Sequence, residues 1–275
     1  MPIHIITDST CDLPAEFVTR YGLSVIPAVL NLDGKSYRDG IDISRSDFYQ
    51  RLPQLKDLPR TSVPAAGELE ALYHRHSGSE IISIHLASQL SGMINTARLG
   101  AEASGARVTL IDSGQVSMGL GWQVLAAAEA AAAGKTLAEV LAAIESVRGR
   151  IKLFALLNTL EFLQRGGRAS ALTATLGKLL QIKPVLELAA GQVIPLEKPR
   201  TWSRGVEKLL ELAKGLGRLE RVAVLHADAL AEAQNLAQRL TPHTTHPPIV
   251  VEVTTVIGTH VGPGALGIAA VRASM

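Results

Sequence analysis

The first half of the chain repeats one local order: a short apolar run, a polar turn and a helical segment. The clearest example is the isoleucine-rich run at 81–86, which leads through Ser88-Gln89-Leu90-Ser91-Gly92 into a helix that starts at Met93. Apolar runs that alternate with helices in this way predict a parallel or mostly parallel sheet with helices on both faces. Sheets of this kind bind ligands at the carboxyl ends of their strands.

Polar turns of this type are candidates for a single ligand-binding edge of the sheet. They contain Asp8, Thr61, Ser91 and Asp112. A strand-to-helix turn presents hydroxyl groups and free backbone N–H groups, and the start of a helix favours an anion. We therefore expect these turns to lie at one sheet edge and to hold an anionic group.

The second half has a different pattern, which predicts an α+β domain with a mixed sheet. The strand at 182–188 turns at Ala190-Gly191 into a hairpin, and strands at 249–256 and 266–272 enclose a glycine-shaped loop that carries His260. We place the boundary near residue 150, with an N-terminal domain at 1–150 and a C-terminal domain at 151–275. No flexible linker separates them, so we expect the domains to pack closely. Further predictions are one strand at 24–31 and a helical segment at 170–180.

Composition excludes several classes of protein. The formal net charge is +2, from 27 basic and 25 acidic residues, with no basic stripe of the kind that nucleic-acid binding needs. The one cysteine, Cys11, excludes an internal disulfide and fits a reducing cytosol. We find no signal peptide and no run that could span a bilayer, and so expect a cytoplasmic protein.

No motif indicates a cofactor or a metal. Residues 262–267 spell G-x-G-x-x-G, but they lie too near the end of the chain to begin the βαβ unit that a dinucleotide requires. No phosphate-binding loop of the Walker type occurs. The sequence therefore predicts neither a cofactor nor a metal site.

Ser91 has more than one interpretation. It can cap the following helix, or it can act as a nucleophile with His260 or His85 as its base, which would make the chain a serine hydrolase. Gln89 stands where the G-x-S-x-G motif needs its first glycine. A binder of a small phosphate or carboxylate without an acyl tail is a third possibility. Arg168, after two glycines, and Arg200 are either solvated or aimed at a ligand.

Together, these motifs resemble the DegV family of bacterial fatty-acid-binding proteins, and the likeness covers essentially the whole chain. The matching segments are Thr7 to Leu13, Thr61-Ser62-Val63-Pro64, Ser88 to Gly92, Ile111-Asp112-Ser113, Gly166-Gly167-Arg168, Ile182-Lys183-Pro184 and Gly258 to Gly264. The resemblance implies a two-domain DegV-like fold with one long-chain fatty acid, similar to palmitate or oleate, bound between the domains.

The resemblance also implies how the ligand is held. In this family the carboxylate is bound by the threonine and serine that correspond to Thr61 and Ser91, and Gly92 lets the ligand approach the backbone. His260, Arg168 and Arg200 are implied to lie near the head group. The N-terminal domain would supply the carboxylate-binding turns, and the C-terminal domain would cover the acyl tail.

The resemblance implies a binding protein rather than an enzyme. Some members present the acid to a separate fatty-acid kinase, which forms an acyl-phosphate for phospholipid synthesis. Transient contact with a membrane during loading is also compatible with such a role. Met93 stands where many relatives have threonine, and Val63 and Ala65 depart from the usual T-S-x-P-S theme, so the chain-length preference is left open.

Overall fold

The structure is a computed structural model that describes residues 1–55, 57–168 and 182–274, and the helix predicted at 170–180 lies outside these ranges. The strands are β1 (Ile3–Asp8), β2 (Ser24–Ile26), β3 (Val29–Leu32), β4 (Lys35–Arg38), β5 (Arg60–Ser62), β6 (Glu80–His85), β7 (Val108–Asp112), β8 (Ile151–Leu156), β9 (Val185–Ala189), β10 (Gln192–Glu197), β11 (Leu219–His226), β12 (Ile249–Glu252) and β13 (Leu266–Arg272). The helices are α1 (Ala15–Tyr21), α2 (Arg45–Arg51), α3 (Ala66–Arg75), α4 (Met93–Ser104), α5 (Met118–Ala132), α6 (Leu137–Arg148), α7 (Glu161–Arg165), α8 (Trp202–Gly215), α9 (Leu230–Leu240) and α10 (Thr255–Val261). Within the described ranges, none of these helices combines the length and apolar character needed to cross a bilayer.

The N-terminal sheet is parallel, as predicted. Its four strands have the order β2-β1-β6-β7, and every neighbouring pair is parallel. The turns after β1, β6 and β7 meet at its carboxyl edge, because the Asp8 carboxylate accepts the Leu86 N–H at 3.2 Å and the Asp112 carboxylate accepts the Ser88 N–H at 3.2 Å. The predicted clustering of the Asp8, Ser91 and Asp112 turns is therefore correct.

The prediction of one strand at 24–31 is wrong. Pro27, which has no N–H to donate to a sheet, separates β2 from β3. Strand β2 pairs with β1, whereas β3 joins a small antiparallel sheet of order β4-β3-β5. Thr61 lies on β5, opposite Leu30, so it belongs to this small sheet and not to the edge of the parallel one.

The second half forms the predicted mixed sheet. Its six strands have the order β10-β9-β8-β13-β11-β12, and only β11 and β12 run parallel. Helices α8 and α9 pack against one face. The other face turns toward the first half, where α5 contacts strands of both large sheets and Trp122 Nε1 donates to the Ala269 carbonyl at 3.0 Å. The two halves therefore pack closely, and the boundary near residue 150 stays a prediction.

A short helix replaces the loop that was predicted around His260. Strand β12 ends at Glu252, and α10 then runs from Thr255 to Val261. Its first free N–H groups are bound by carboxylates from the other half: Asp12 Oδ1 accepts from Thr254 N at 2.9 Å, and Asp39 Oδ1 accepts from Thr255 N at 3.2 Å. Both acceptors are more than 200 positions away in sequence, and so no local sequence motif predicts this helix.

Asp12 makes the stability of this junction depend on pH. Burial raises its pKa from 3.8 to about 7, although the Arg45 charge and the hydrogen bonds from Ser117 and Thr254 act in the opposite direction. Since the folded state binds this proton more tightly than the unfolded state, the stabilisation is complete below pH about 4 and is lost as pH rises through about 7. The difference between the two pKa values corresponds to about 4 kcal/mol as an upper bound.

We therefore expect Asp12→Asn, which resembles the protonated side chain, to gain stability relative to the native chain as pH rises from about 4 to about 8. Urea unfolding of both proteins at several pH values measures this. A gap that stays constant or narrows with rising pH would contradict the proposed protonation of Asp12.

Candidate functional site

An apolar cavity lies between the inner face of the six-stranded sheet and the turns of the N-terminal half. About 140 Å³ of its interior is open to water-sized molecules. One wall is formed by alternate residues of the sheet strands: Leu153, Ala155, Leu186, Leu188 and Leu225. The facing wall includes Leu90, Val116, Leu163, Ile257 and Val261. The surface that faces the empty space is apolar, so the cavity suits a hydrocarbon and not a polar metabolite.

Two polar residues of the cavity lining are Arg168 and His260. Both also line a separate polar groove, which includes Thr61. Further charged residues along this groove are Asp33, Arg51, Asp57, Arg60 and Arg165. The apolar cavity and the polar groove therefore meet at the side chains of Arg168 and His260.

His260 is hydrogen-bonded to Thr61 and lies close to Gly166. Its Nε2 lies 3.0 Å from Thr61 Oγ1, which joins α10 to β5. Burial and, to a lesser extent, the nearby Arg168 charge together lower the pKa of His260 to about 4, so the imidazole is neutral near pH 7. Among the described residues no group bonds its buried Nδ1. His260 therefore supplies hydrogen-bonding atoms to the site, but no positive charge.

Arg168 supplies the charge. Its Nε donates to the Leu90 carbonyl at 3.3 Å, and its Nη1 donates to the Gly166 carbonyl at 2.7 Å. The preceding Gly167 has φ +73°, a conformation that favours glycine and turns the chain sharply after α7. Within the ranges that the structure describes, no carboxylate pairs with this guanidinium. A half-buried cation without an anionic partner attracts an anionic ligand.

The Ser91 turn lies next to the junction of the cavity and the groove. Its neighbour Leu90 lines the cavity and accepts a hydrogen bond from Arg168. Ser91 Oγ itself accepts the Met93 N–H at 3.2 Å, so it binds the first N–H group of α4, whose N-cap residue is Gly92. Gly92 has φ −75°, and a Cβ added there would meet no atom within 4 Å. Space for a ligand is therefore open beside Gly92, and the contacts of Ser91 and Gly92 with a carboxylate remain predictions.

Arg200 lies elsewhere. It is exposed, just before α8, and is not among the residues that line the cavity or the groove. The structure thus brings Thr61, His260 and Arg168 together and leaves Arg200 apart from them.

The arrangement needed for a serine hydrolase is not formed at Ser91. His85 Nδ1 lies 3.0 Å from Asp8 Oδ2, and its Nε2 lies 2.8 Å from Ser83 Oγ. Asp8, Ser83 and His85 are completely enclosed, so this Ser-His-Asp chain cannot reach a substrate. The other candidate base, His260, bonds Thr61. Both bases proposed from the sequence are therefore engaged by other partners.

Gly166 limits where the His260 side chain can lie, a role that the motif Gly166-Gly167-Arg168 does not indicate. A Cβ at residue 166 would lie 2.3 Å from His260 Nδ1. We expect Gly166→Ala to destabilise the fold by about 1–3 kcal/mol through overpacking, and His260→Ala in the same chain to remove most of that loss. Denaturant unfolding of the two single variants and the double variant measures this coupling.

Gly78→Ala is the control for that cycle, because a Cβ at residue 78 meets nothing within 4 Å. Equal losses from Gly166→Ala with and without the His260 side chain would show that the glycine does not position the imidazole.

The profile of the DegV family matches residues 2–273. A DegV domain-containing protein of Streptomyces coelicolor is 36% identical over 276 residues, which cover 97% of each chain. A structure described as fatty-acid binding of a DegV family protein from Thermus thermophilus superposes with a TM-score of 0.91 at 33% identity, covering 99% of this chain and 100% of that one.

A structure of DegV from Bacillus subtilis, described as a fatty-acid-binding protein, has a TM-score of 0.89 at 31% identity, with 99% and 100% of the two chains covered. These similarities extend over both sheets and over the elements that carry Thr61, Arg168 and His260. The resemblance inferred from the motifs is thereby confirmed, and the chain belongs to the DegV family.

Proposed function

We propose that this protein binds one long-chain fatty acid, with the acyl tail in the cavity and the carboxylate at Arg168, His260 and Thr61. The observation that carries the proposal is the meeting of an apolar cavity with a polar groove at an arginine that has no carboxylate partner among the described residues. An amphipathic anion matches both sides of this junction. The fatty acids described for the Thermus and Bacillus relatives have the same chemistry.

Tail and head group have different roles in binding. Burying about fifteen methylenes at ~0.8 kcal/mol each contributes ~12 kcal/mol in gross terms. A hydrogen bond to a charged carboxylate contributes only ~1.5–3 kcal/mol net, but a buried carboxylate without donors is unfavourable by several kcal/mol. The cavity therefore determines affinity, and Arg168 with Thr61 and the Ser91 turn determines which end of the ligand faces the groove.

We further propose that the chain presents the carboxylate to a separate kinase in the cytoplasm. The groove beside Thr61 gives a partner access to the head group, and Arg60 and Arg165 lie along it. A carboxylate oxygen would attack the γ-phosphorus of ATP, the bond to the bridging oxygen would break, and ADP would leave. The chain would act as carrier and the kinase as catalyst, with the acyl-phosphate used in phospholipid synthesis.

Native mass spectrometry of the purified protein tests the binding function. We expect a complex with one fatty acid, or uptake of one added palmitate or oleate after delipidation. A protein that carries no lipid and takes up neither acid would contradict the proposal.

The kinase step has its own test. The palmitate-loaded protein is incubated with ATP and a bacterial fatty-acid kinase, and the acyl-phosphate is trapped with hydroxylamine. Hydroxamate formed only when both proteins are present supports presentation. Binding of palmitate without hydroxamate formation would limit the function to binding.

A further inference from the structure

A second cleft lies beside the segment that leads from β12 into α10. It is formed by the residues after β1, the start of α1, the segment after β4, the start of α2 and strand β12, and it has a volume of about 540 Å³. Its walls include the apolar side chains of Val18, Val25, Pro27 and Val250. Its floor includes two buried carboxylates, Asp12 and Asp39, which are 1% and 3% exposed.

Asp39 has an acceptor oxygen without a partner. Its Oδ1 accepts from Thr255 N at 3.2 Å and from Thr255 Oγ1 at 2.7 Å. Its Oδ2 is enclosed and bonds no group among the residues that the structure describes. A buried carboxylate oxygen without a donor is unfavourable, so this atom favours a ligand that brings an N–H or O–H group. Asp12, in contrast, has both oxygens bonded, to Thr254 N and Ser117 Oγ.

The charges in the cleft favour a cation over a neutral donor. Besides Asp12, whose pKa is about 7, the carboxylates of Asp39 and Glu252 line it, and Arg45 is the basic side chain among its lining residues. Arg45 donates to the Glu252 backbone carbonyl. The cleft thus has an excess of negative charge, and its apolar walls suit a short hydrocarbon body.

We propose that this cleft is a second binding site, for a small molecule that carries a primary ammonium group on a short apolar body. The ammonium N–H groups bond Asp39 Oδ2, and the hydrocarbon lies against Val18 and Val250. This site does not depend on the fatty-acid proposal, since the two share no lining residue.

Helix α10 connects the two sites. Asp12 and Asp39 hold its first residues, and His260 near its last turn contacts Thr61. The helix is only seven residues long, so these contacts lie within about 10 Å of one another along its axis. An ammonium bound to Asp39 therefore acts on the same rigid element that positions the head-group histidine.

Titration calorimetry on the full chain tests the site with n-butylammonium as the probe. We expect saturable binding with one site per chain. The N,N,N-trimethylbutylammonium ion has the same charge but no N–H donor, and butan-1-ol has no charge. Both should bind at least about tenfold more weakly, because each lacks one of the two features that Asp39 recognises.

Two variants locate the probe. Asp39→Asn keeps an oxygen for Thr255 but places an amide N–H where Oδ2 stands, and it should weaken n-butylammonium binding at least about tenfold. Ala15→Trp fills the mouth of the cleft from an exposed position and should do the same if Asp39→Asn does not fold. The controls are Ala15→Ser and Glu102→Gln, which removes an exposed carboxylate on α4.

The proposal is supported if n-butylammonium binds, if Ala15→Trp and a folded Asp39→Asn weaken it, and if both controls bind as the native chain does. It is overturned if no saturable binding occurs, if the quaternary ion or the alcohol binds equally well, or if Ala15→Trp or a folded Asp39→Asn leaves the affinity unchanged. Palmitate binding by the native chain is measured in parallel, and its absence would contradict the fatty-acid proposal but not this one.

Discussion

Replacement of Ala155 by phenylalanine is expected to reduce the affinity for palmitate by about a hundredfold or more. Ala155 lies on β8 and lines the apolar cavity. A phenyl ring at this position occupies space that we assign to the acyl tail. Displacing about four methylenes from the cavity, at ~0.8 kcal/mol each, costs about 3 kcal/mol, which corresponds to this loss of affinity. Equilibrium binding of palmitate by titration calorimetry measures the effect.

Ala138→Phe is the matched control, since Ala138 is exposed on α6 and lies outside the cavity. We expect that variant to bind palmitate with native affinity. Thermal unfolding of both variants checks that the ring has not disrupted the fold. A folded Ala155→Phe protein with native affinity would show that the tail does not enter this cavity.

Loss of the Arg168 charge is expected to remove the preference for an acid over an alcohol. Arg168→Ala should weaken palmitate binding about tenfold to a hundredfold, the effect of losing a charged hydrogen bond of ~1.5–3 kcal/mol. Binding of hexadecanol, which has the same tail and no charge, should change by less than about threefold. Because His260 is neutral near pH 7, it cannot replace the missing charge.

Arg165→Ala serves as the control, because Arg165 lines the same groove but pairs with Glu161 at 3.1 Å. That variant should keep the preference for the acid. If Arg168→Ala weakened palmitate and hexadecanol equally, Arg168 would have a structural role and would not recognise the carboxylate.

The parallel sheet was predictable from the sequence because its signals are local. The isoleucine-rich run before Ser88 needs no distant partner to indicate a buried strand, and the polar turns after β1, β6 and β7 must meet once those strands are neighbours. The hairpin of β9 and β10 likewise follows from the turn residues Ala190 and Gly191.

The errors arose where distant residues decide the local structure. Thr61 precedes a helix in sequence, as the other polar turns do, yet backbone pairing with β3 places it in a separate sheet. The apolar run after Ile249 suggests one long strand, but Asp12 and Asp39 bind the N–H groups of Thr254 and Thr255 and so stabilise a helix there. Neither carboxylate can be assigned to this role without the tertiary structure.

The candidate site was likewise predictable only in part. The family motifs predicted Thr61, Arg168 and His260 as site residues, and the structure brings these side chains together. The steric fit of His260 against Gly166 depends on how α10 packs beside α7, which no motif records. The roles of Ser91, Gly92 and Arg200 toward a ligand remain predictions, since Ser91 binds the first N–H group of α4 and Arg200 lies apart from the cavity.

A crystal structure of the palmitate complex tests the central claim most directly. We predict that the acyl tail fills the cavity between Leu153 and Ile257, with the carboxylate within about 3 Å of donor atoms at the junction of Arg168, His260 and Thr61. Density for the tail outside this cavity, or a carboxylate at the opposite end from Arg168, would contradict the account.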